Sequence, residues 1–487
     1  MSDELINWRD RNLNSISPSF CAAKWYNASI HLGHGYTGSC HLPLPHPVDV
    51  EEIKINPSAL HNTQHKKKMR KMMLEGVKPA ECNYCWKIEG LGRNNASDRI
   101  YKSQIYTEED IRKLKDLPWD ADIGLKTLEI SFDRQCNFAC SYCNASYSTT
   151  WLQDDVLKHG PYQNFMAPGG GGEAYQGDGS WADEHGRHLD TNPYVDAFMR
   201  WYPELVPTLD ELRITGGEAT VSQNFWRFVD TMHKNPTPNM RFAVNSNLGS
   251  DKGIERLIEI THTLPVKEFD LYTSNESYGA HAEYIRDGLI YPNWRRNLVN
   301  FIEQGRYRAI TMMMTINSLS LFSITEFLDD MAELKAKYGW HKPHVDLNIL
   351  RWPGFMSPLS LPDDVKNQLH GKFKRWWDKN KDSHLYAPGE KAQIQRLLDY
   401  IEVADKGHVQ VTDDKTLLWH DFKSFYSQYD QRRNKNFIQT FPELADWYNS
   451  IELRKQFEIK PFIQGKISHY EEGVYQDTPP SLFEGVE

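Results

Sequence analysis

No apolar run in this chain of 487 residues approaches the roughly 18 residues that cross a bilayer, which argues against a membrane-embedded protein. The opening stretch from Met1 to Asp10 has no basic segment followed by an apolar one, so it does not read as a secretory signal. A cytoplasmic protein is expected. Positive charge is not in surplus either: 56 Lys and Arg against 66 Asp and Glu leave a net charge of -10, the wrong sign for a broad nucleic-acid footprint. Cysteine is scarce, with seven residues in all. Their odd number and tight spacing disfavour a disulfide framework and favour metal ligation by reduced thiols.

The length predicts two or three domains. After a polar leader over residues 1–20, the pattern from Lys24 to Leu32 predicts a strand, His34 to Gly38 a turn and Ser39 to Leu42 a return strand. Asn56 as N-cap and Pro57 at the first helical position predict a helix running through Leu74 and ending at Gly76. Cys82 and Cys85 follow it. This unit, residues 1–95, is too small for a generous core and suits a metal staple.

From residue 127 strand-like and helix-like stretches alternate. Strands are predicted at Thr127–Phe132, Glu211–Thr215, Phe242–Asn245, Phe269–Thr273, Ala309–Met314 and Val345–Leu350. Helices are predicted at Tyr194–Pro203, Asn224–His233, Ile254–Thr261, Trp294–Gln304 and Ile324–Tyr338. Six β/α steps imply an α/β domain over 96–350 with a parallel sheet, doubly wound or bent into a partial (β/α)6 TIM-like barrel. Ligand sites in both architectures lie at the C-terminal ends of the strands. A glycine-rich insert, about 160–192, reads as a lid or a surface loop. Residues 351–487 read as a C-terminal helical region, with helices at Asp364–Lys379, Lys391–Ala404 and Lys415–Asn434.

Cys136, Cys140 and Cys143 sit at the mouth of the first strand of this series. Three soft thiolates select an iron–sulfur or zinc centre, and three are one short of four, which leaves a position for another ligand. The Cys-x3-Cys-x2-Cys spacing, with Tyr142 before the third cysteine, resembles the signature of radical S-adenosylmethionine (SAM) enzymes. In that family the thiolates hold a [4Fe–4S] cluster, SAM chelates its fourth iron, and reductive cleavage releases a 5′-deoxyadenosyl radical. Gly216, Gly217 and Glu218, closing the second strand, resemble the family motif that binds the SAM amino group. The same positional logic implies Ser274 and Glu276 for the ribose hydroxyls and Thr315 and Asn317 for the methionyl or adenine part, with Asn245 and Asn247 ending the third strand. A zinc knuckle with a remote fourth ligand is the competing reading of the loop.

Cys21, thirteen residues, Gly35, four residues and Cys40 resemble the opening of SPASM and twitch auxiliary-cluster modules. Cys82 and Cys85 would complete four thiolates for a second [4Fe–4S] cluster. The familiar modules follow the barrel, whereas this one precedes it, and four cysteines serve zinc equally well. Lys66, Lys67, Lys68, Arg70 and Lys71 read as a solvated helix face. His31, His34, His41 and His46 near Cys40 are alternative ligands or packing residues, and Arg351 is a structural arginine or a substrate anchor.

The resemblance implies an enzyme that abstracts hydrogen from a peptide or small-molecule substrate, fed by a flavodoxin- or ferredoxin-type electron donor. The alternatives are a methyl- or sulfur-transferring relative acting on RNA and a zinc-stabilised scaffold without catalysis.

Overall fold

The structure, a computed structural model, describes residues 2–92, 95–178, 192–402, 415–454 and 473–474. Three expectations reach beyond these residues: the second half of the glycine-rich insert, the end of the helix predicted to Ala404, and most of the chain after 454.

Among the described residues nine strands form one sheet: β1 (Asn27–His31), β2 (Tyr36–Gly38), β3 (His46–Pro47), β4 (Thr127–Ser131), β5 (Glu211–Thr215), β6 (Thr237–Ser246), β7 (Val266–Ser274), β8 (Ala309–Ile316) and β9 (His344–Ile349). Their spatial order is β9-β8-β7-β6-β5-β4-β1-β2-β3. From β4 to β9 the strands stand in sequence order and every neighbouring pair is parallel, as the six β/α steps predict. Helices α1 (Ser2–Asn12) and α2 (Gln64–Leu74) come before this series. Helices α3 (Pro193–Leu205), α4 (Gln223–Lys234), α5 (Asp251–Thr263), α6 (Tyr291–Gln304) and α7 (Ile324–Tyr338) make its crossovers, and α8 (Asp363–Asn380), α9 (Pro388–Glu402) and α10 (Thr416–Arg433) follow. The chain is mixed α/β, and among the described residues no helix is long and apolar enough to cross a membrane.

Side-chain alternation splits the sheet into an apolar and a polar face. In β8, Ile310, Met312, Met314 and Ile316 are fully buried, while Thr311 and Thr315 alternate with them. The apolar face takes Phe225, Phe228 and Met232 of α4, all fully buried, and each such side chain contributes about 1.5–3 kcal/mol. Register sets Glu129 beside Arg213 and Ser131 beside Thr215 on the polar face. There a ladder of alternating charge crosses the strands: Glu129–Arg213 at 3.4 Å, Arg213–Glu211 at 2.8 Å, Glu211–Arg241, Arg241–Asp270 at 3.7 Å and Asp270–Arg308. It occupies the N-terminal half of the face. Ser131, Thr215, Asn245, Ser274 and Thr315 end the strands on the same side, nearer the cysteine loop.

The N-terminal unit departs from several expectations. Residues 2–20 are not a loose leader: α1 is followed by Leu13 and Phe20, both fully buried in a second core with Trp25, Met73, Cys85 and Trp86. The hairpin is part of the main sheet, because β1 pairs in parallel with β4. Its return strand is β2 and not Ser39–Leu42. Gly35, at φ +70° with the Tyr194 ring packed where a Cβ would stand, turns the chain early, and Pro43 and Pro45 donate no ladder hydrogen bonds.

The predicted helix from Asn56 is two pieces. Asn56 caps a 3-10 turn, Pro57–Leu60, and Thr63 caps α2. The basic run is not a solvated face, since Lys66 and Arg70 are fully buried. Lys66 Nζ donates to Thr37 Oγ1 and Gly38 O, both at 3.0 Å. Arg70 forks onto Asn62 Oδ1 at 3.1 Å from each terminal nitrogen. Burial, with Arg70 and Lys24 nearby, pushes the Lys66 ammonium well below its ordinary value. A helix wedged under a hairpin buries one stripe whatever its composition, and backbone carbonyls serve the cations.

Candidate metal and cofactor site

After β4, the loop carrying Cys136, Cys140 and Cys143 is fixed by its own backbone. Cys136 N donates to Thr149 Oγ1 at 3.2 Å, Thr150 Oγ1 donates to Cys136 O at 2.5 Å, and Trp151 Nε1 donates to Cys140 O at 2.9 Å. Residues Ala139–Cys140 form a two-residue antiparallel bridge with Arg286–Asp287, in which Cys140 faces Arg286. Gly288 closes the grip: its φ is +99° and a Cβ there would stand 2.8 Å from Asn137 O.

The three thiols are free and partly accessible, and two of them receive donors suited to a thiolate. Phe138 N and Asn247 Nδ2 lie 3.5 and 4.0 Å from Cys136 Sγ, and Arg286 Nη1 lies 3.9 Å from Cys140 Sγ. Burial, reinforced by Cys140 and Glu218, pushes Cys136 up to about 12. It raises Cys140, against the pull of Arg286, and Cys143 with its two neighbouring cysteines. Thiols held this high are not free nucleophiles at neutral pH. A soft metal centre would ionise them and release their protons.

Gly216 and Gly217 are required by close approach. A Cβ on Gly217 would stand 2.3 Å from Gln135 O, and one on Gly216, φ +121°, would stand 2.8 Å from Ser131 Oγ. The motif therefore packs directly against the entry of the cysteine loop. Glu218 is buried, and its carboxylate accepts from Thr220 N at 3.1 Å, Ser246 Oγ at 2.8 Å and Asn247 N at 2.5 Å. It ties β5 to the end of β6, and through Asn247 to Cys136.

Glu276 does not face open space as a ribose ligand would. Fully buried, it accepts from Arg286 Nη2 at 2.5 Å, Arg286 Nε at 3.1 Å and Tyr142 OH at 3.2 Å. Tyr142 is thereby anchored beneath the loop. Asn317 is likewise committed, capping a turn through Leu319 N and Ser320 N at 3.0 and 3.1 Å. Ser274 and Thr315 stay half-buried on the polar face. Beside them Asn245 Oδ1, Asn275 Nδ2, Ser277 Oγ and Ser318 Oγ are buried with no partner among the described residues, and a polar ligand would satisfy such groups.

The other four cysteines share one pocket. Cys21, Cys40, Cys82 and Cys85 line it with Lys24, Arg99 and Lys102. No histidine lines it, and His46 instead meets Thr63 Oγ1 at 2.8 Å and packs its ring against that of His65. Burial, with Cys21 and Cys40 adding to it, pushes Cys85 up to about 12. Lys24 stays cationic against its own burial because Cys82 and Glu81 hold it above its ordinary value. The pocket lies at the opposite end of the strands from the three-cysteine loop. Cys21 precedes the helical turn Ala23–Tyr26 that enters β1, Asn27 Nδ2 donates to Ser39 O at 2.6 Å beside Cys40, and Tyr106 OH meets Thr127 Oγ1 at 2.8 Å at the start of β4. The five residues of β4 put about 16 Å of strand between the two ends.

Helix α10 and the first half of the glycine-rich insert cover the cysteine loop. Asp421 accepts from Met166 N at 2.6 Å and Ala167 N at 3.0 Å, and Tyr429 OH donates to Tyr284 O at 3.1 Å. Residues 162–176 of the insert are therefore packed, while 179–191 lie outside the described residues. Arg351 is an exposed surface residue with its guanidinium over Tyr400. Nothing in the spacing of the sequence marks Arg286, Asp155 or Arg433, which brace the loop.

No protein-family model and no curated protein sequence matches this chain. Among solved structures it is similar to SuiB of Streptococcus suis, at 12% identity and a TM-score of 0.32 over 67% of this chain and 68% of that one. It is similar also to the same protein bound to S-adenosylmethionine, at 12% identity and a TM-score of 0.31 over 72% and 68%. Among the described residues no three His, Cys, Asp or Glu side chains close around a point that would hold a single ion. The donor chemistry of the three-cysteine loop fits a thiolate-bound centre, with soft ligands, N–H donors to sulfur and a cation at the wall, and the four-cysteine pocket offers soft ligands beside Lys24, Arg99 and Lys102.

Proposed function

We propose that this chain is a radical SAM enzyme whose parallel strands form a partial (β/α)6 barrel with the polar face inward. Cys136, Cys140 and Cys143 hold the catalytic [4Fe–4S] cluster in this reading, and Cys21, Cys40, Cys82 and Cys85 hold an auxiliary one. The observation that carries it is the packing of the Gly216–Gly217 turn against Gln135 O, with Glu218 bonded to the residue that reaches Cys136. Bound at the three-thiolate centre, SAM supplies a 5′-deoxyadenosyl radical on one-electron reduction.

The chain's own groups orient and enclose. Asn247 and Phe138 N steady Cys136, Tyr142 and Glu276 support the loop from below, and Ser274, Thr315 and the unpartnered atoms Asn245 Oδ1, Asn275 Nδ2 and Ser277 Oγ would receive the polar parts of SAM. Tyr175, Tyr429 and Trp151 keep water from the loop, since all three are buried. A peptide or polyfunctional small molecule would lie along the polar face between the two thiol sites, giving up hydrogen at one end and, on net oxidation, an electron toward the other. A flavodoxin- or ferredoxin-type donor would supply the reducing electron.

Anaerobic reconstitution tests this. About eight iron and eight sulfide per chain, from two [4Fe–4S] centres, with SAM cleaved to 5′-deoxyadenosine, is the expected result. Stoichiometric zinc without cleavage would sink it.

A further inference from the structure

Arg286 is a buried cation with two distinct kinds of partner. Its side chain is 5% exposed. Nη2 and Nε fork onto Glu276 at 2.5 and 3.1 Å, and the remaining terminal nitrogen, Nη1, points the other way to Cys140 Sγ at 3.9 Å. The antiparallel bridge that pairs Arg286 with Cys140 fixes this geometry in the backbone. Ser141 N donates to Ile285 O at 2.7 Å and continues the bridge by one residue. The next residue, Asp287, is held by Arg433 at 2.8 Å and Lys435 at 2.9 Å. Glu276 also accepts from Tyr142 OH and Thr315 N, so the carboxylate that orients the guanidinium is itself fixed from three sides.

A thiol that only needed packing would not require a charged donor delivered from 146 positions away. Burying an arginine is costly unless its charge is matched. Glu276 matches it, and the cysteine then receives the remaining donor of the fork.

We propose, resting on the radical SAM reading above, that Arg286 is a positioning residue that sets the reduction potential of the three-thiolate centre. The reduced centre carries one more negative charge than the oxidised one, and part of it resides on the thiolate sulfurs. A charge-assisted N–H···S bond stabilises that form more than the oxidised form. Arg286 therefore raises the potential and brings the centre within reach of a protein electron donor. Hydrogen bonds to the sulfurs are among the determinants of cluster potential, and this is the one from a charged side chain among the described residues. Glu276 and Tyr142 serve the same purpose indirectly by fixing the guanidinium plane.

The test is a redox titration of reconstituted full-length protein, followed by the electron paramagnetic resonance signal of the reduced centre. Cys82→Ser is present throughout to remove the second centre. Arg286→Gln with Glu276→Gln removes both charges and leaves no orphaned carboxylate. The expected result is wild-type iron content with the reduction equilibrium weakened about tenfold, a shift of about 59 mV to lower potential for one electron. Arg286→Lys keeps the charge without the fork and is expected to shift the potential the same way by a smaller step. It decides the question alone if the double variant fails to fold. Unchanged potential in the variant that loads iron overturns the role of Arg286 and leaves the radical SAM reading intact. A parent protein that takes up no iron overturns both.

Discussion

Arg433, the last residue of α10, donates from Nη2 to Asp155 Oδ2 at 2.7 Å across 278 positions of sequence. Arg432 reaches the other oxygen of the same carboxylate at 2.8 Å, and Tyr162 OH donates to it at 2.9 Å. Asp155 is 1% exposed and lies in the single turn of π-helix, Trp151–Val156, that follows the cysteine loop. The end of α10 is thus bolted to the segment from which Trp151 Nε1 donates to Cys140 O. The rings of Trp151, Tyr162, Phe425 and Tyr429 pack around the bolt.

Removing one member of a buried, hydrogen-bonded charge cluster leaves the others unpaired. Asp155→Ala is expected to lose about 3–5 kcal/mol of stability, read from urea unfolding, and to release α10 to early proteolysis. Lys158→Ala, whose ion pair with Asp154 lies more than half exposed, should change stability by less than about 0.5 kcal/mol. Equal effects from the two substitutions would refute the bolt.

The glycine pair offers a steric prediction. Gly217→Ala would press a methyl against Gln135 O at 2.3 Å and Arg134 O at 2.8 Å, backbone atoms that cannot swing aside. Overpacking of this kind costs about 1–3 kcal/mol, and here it would also push the cysteine loop out of place. Reconstituted iron at the three-cysteine site should fall together with the unfolding midpoint. Gly389→Ala, in the first turn of α9 with nothing near its Cβ position, should stabilise by about 0.4–1 kcal/mol.

The elements legible in the sequence were those governed by local pattern. Strand alternation at β8 and β5 and the span of α7 from Ile324 to Tyr338 follow from residues within one element. The cysteine spacing and the Gly216–Gly217 turn were legible too, because backbone approach constrains neighbours in sequence. What stayed hidden depends on partners far along the chain. Lys66 reads as solvated until Thr37 and Gly38 O are known to receive it. Glu276 reads as a ligand for hydroxyls until Arg286 folds back on it. The parallel pairing of β1 with β4 has no local signal, since 95 residues separate the two strands.

The four-cysteine pocket predicts a separable site. Cys82→Ser or Cys85→Ser is expected to lower reconstituted iron from about eight to about four per chain, one [4Fe–4S] centre in place of two, while SAM cleavage by the first centre persists. Iron unchanged at the parental value would exclude these cysteines as ligands. Zinc retained at one per chain in the parent and lost in the variant would assign the pocket to zinc.

Two buried histidines give the N-terminal unit a pH dependence with a definite sign. Burial, with the charges of Lys66 and His65 adding to it, lowers His46 to about 2, and burial with Lys66 and Arg70 lowers His61 well below its ordinary value. Both are held neutral in the fold, His46 against Thr63 Oγ1 at 2.8 Å and His61 Nε2 beside Trp25 O at 2.8 Å. In the unfolded chain each takes up a proton near pH 6.5. Below that value the unfolded state binds more protons than the native one, so stability is full at pH 7 and is lost as the pH falls. For His46 the loss is about 2 kcal/mol between pH 7 and pH 5, and His61 adds to it in the same direction. Urea unfolding at the two pH values measures it. His46→Gln should flatten the pH slope by one proton even if it lowers stability at pH 7, and a variant with the parental slope would show that His46 is already protonated in the native state.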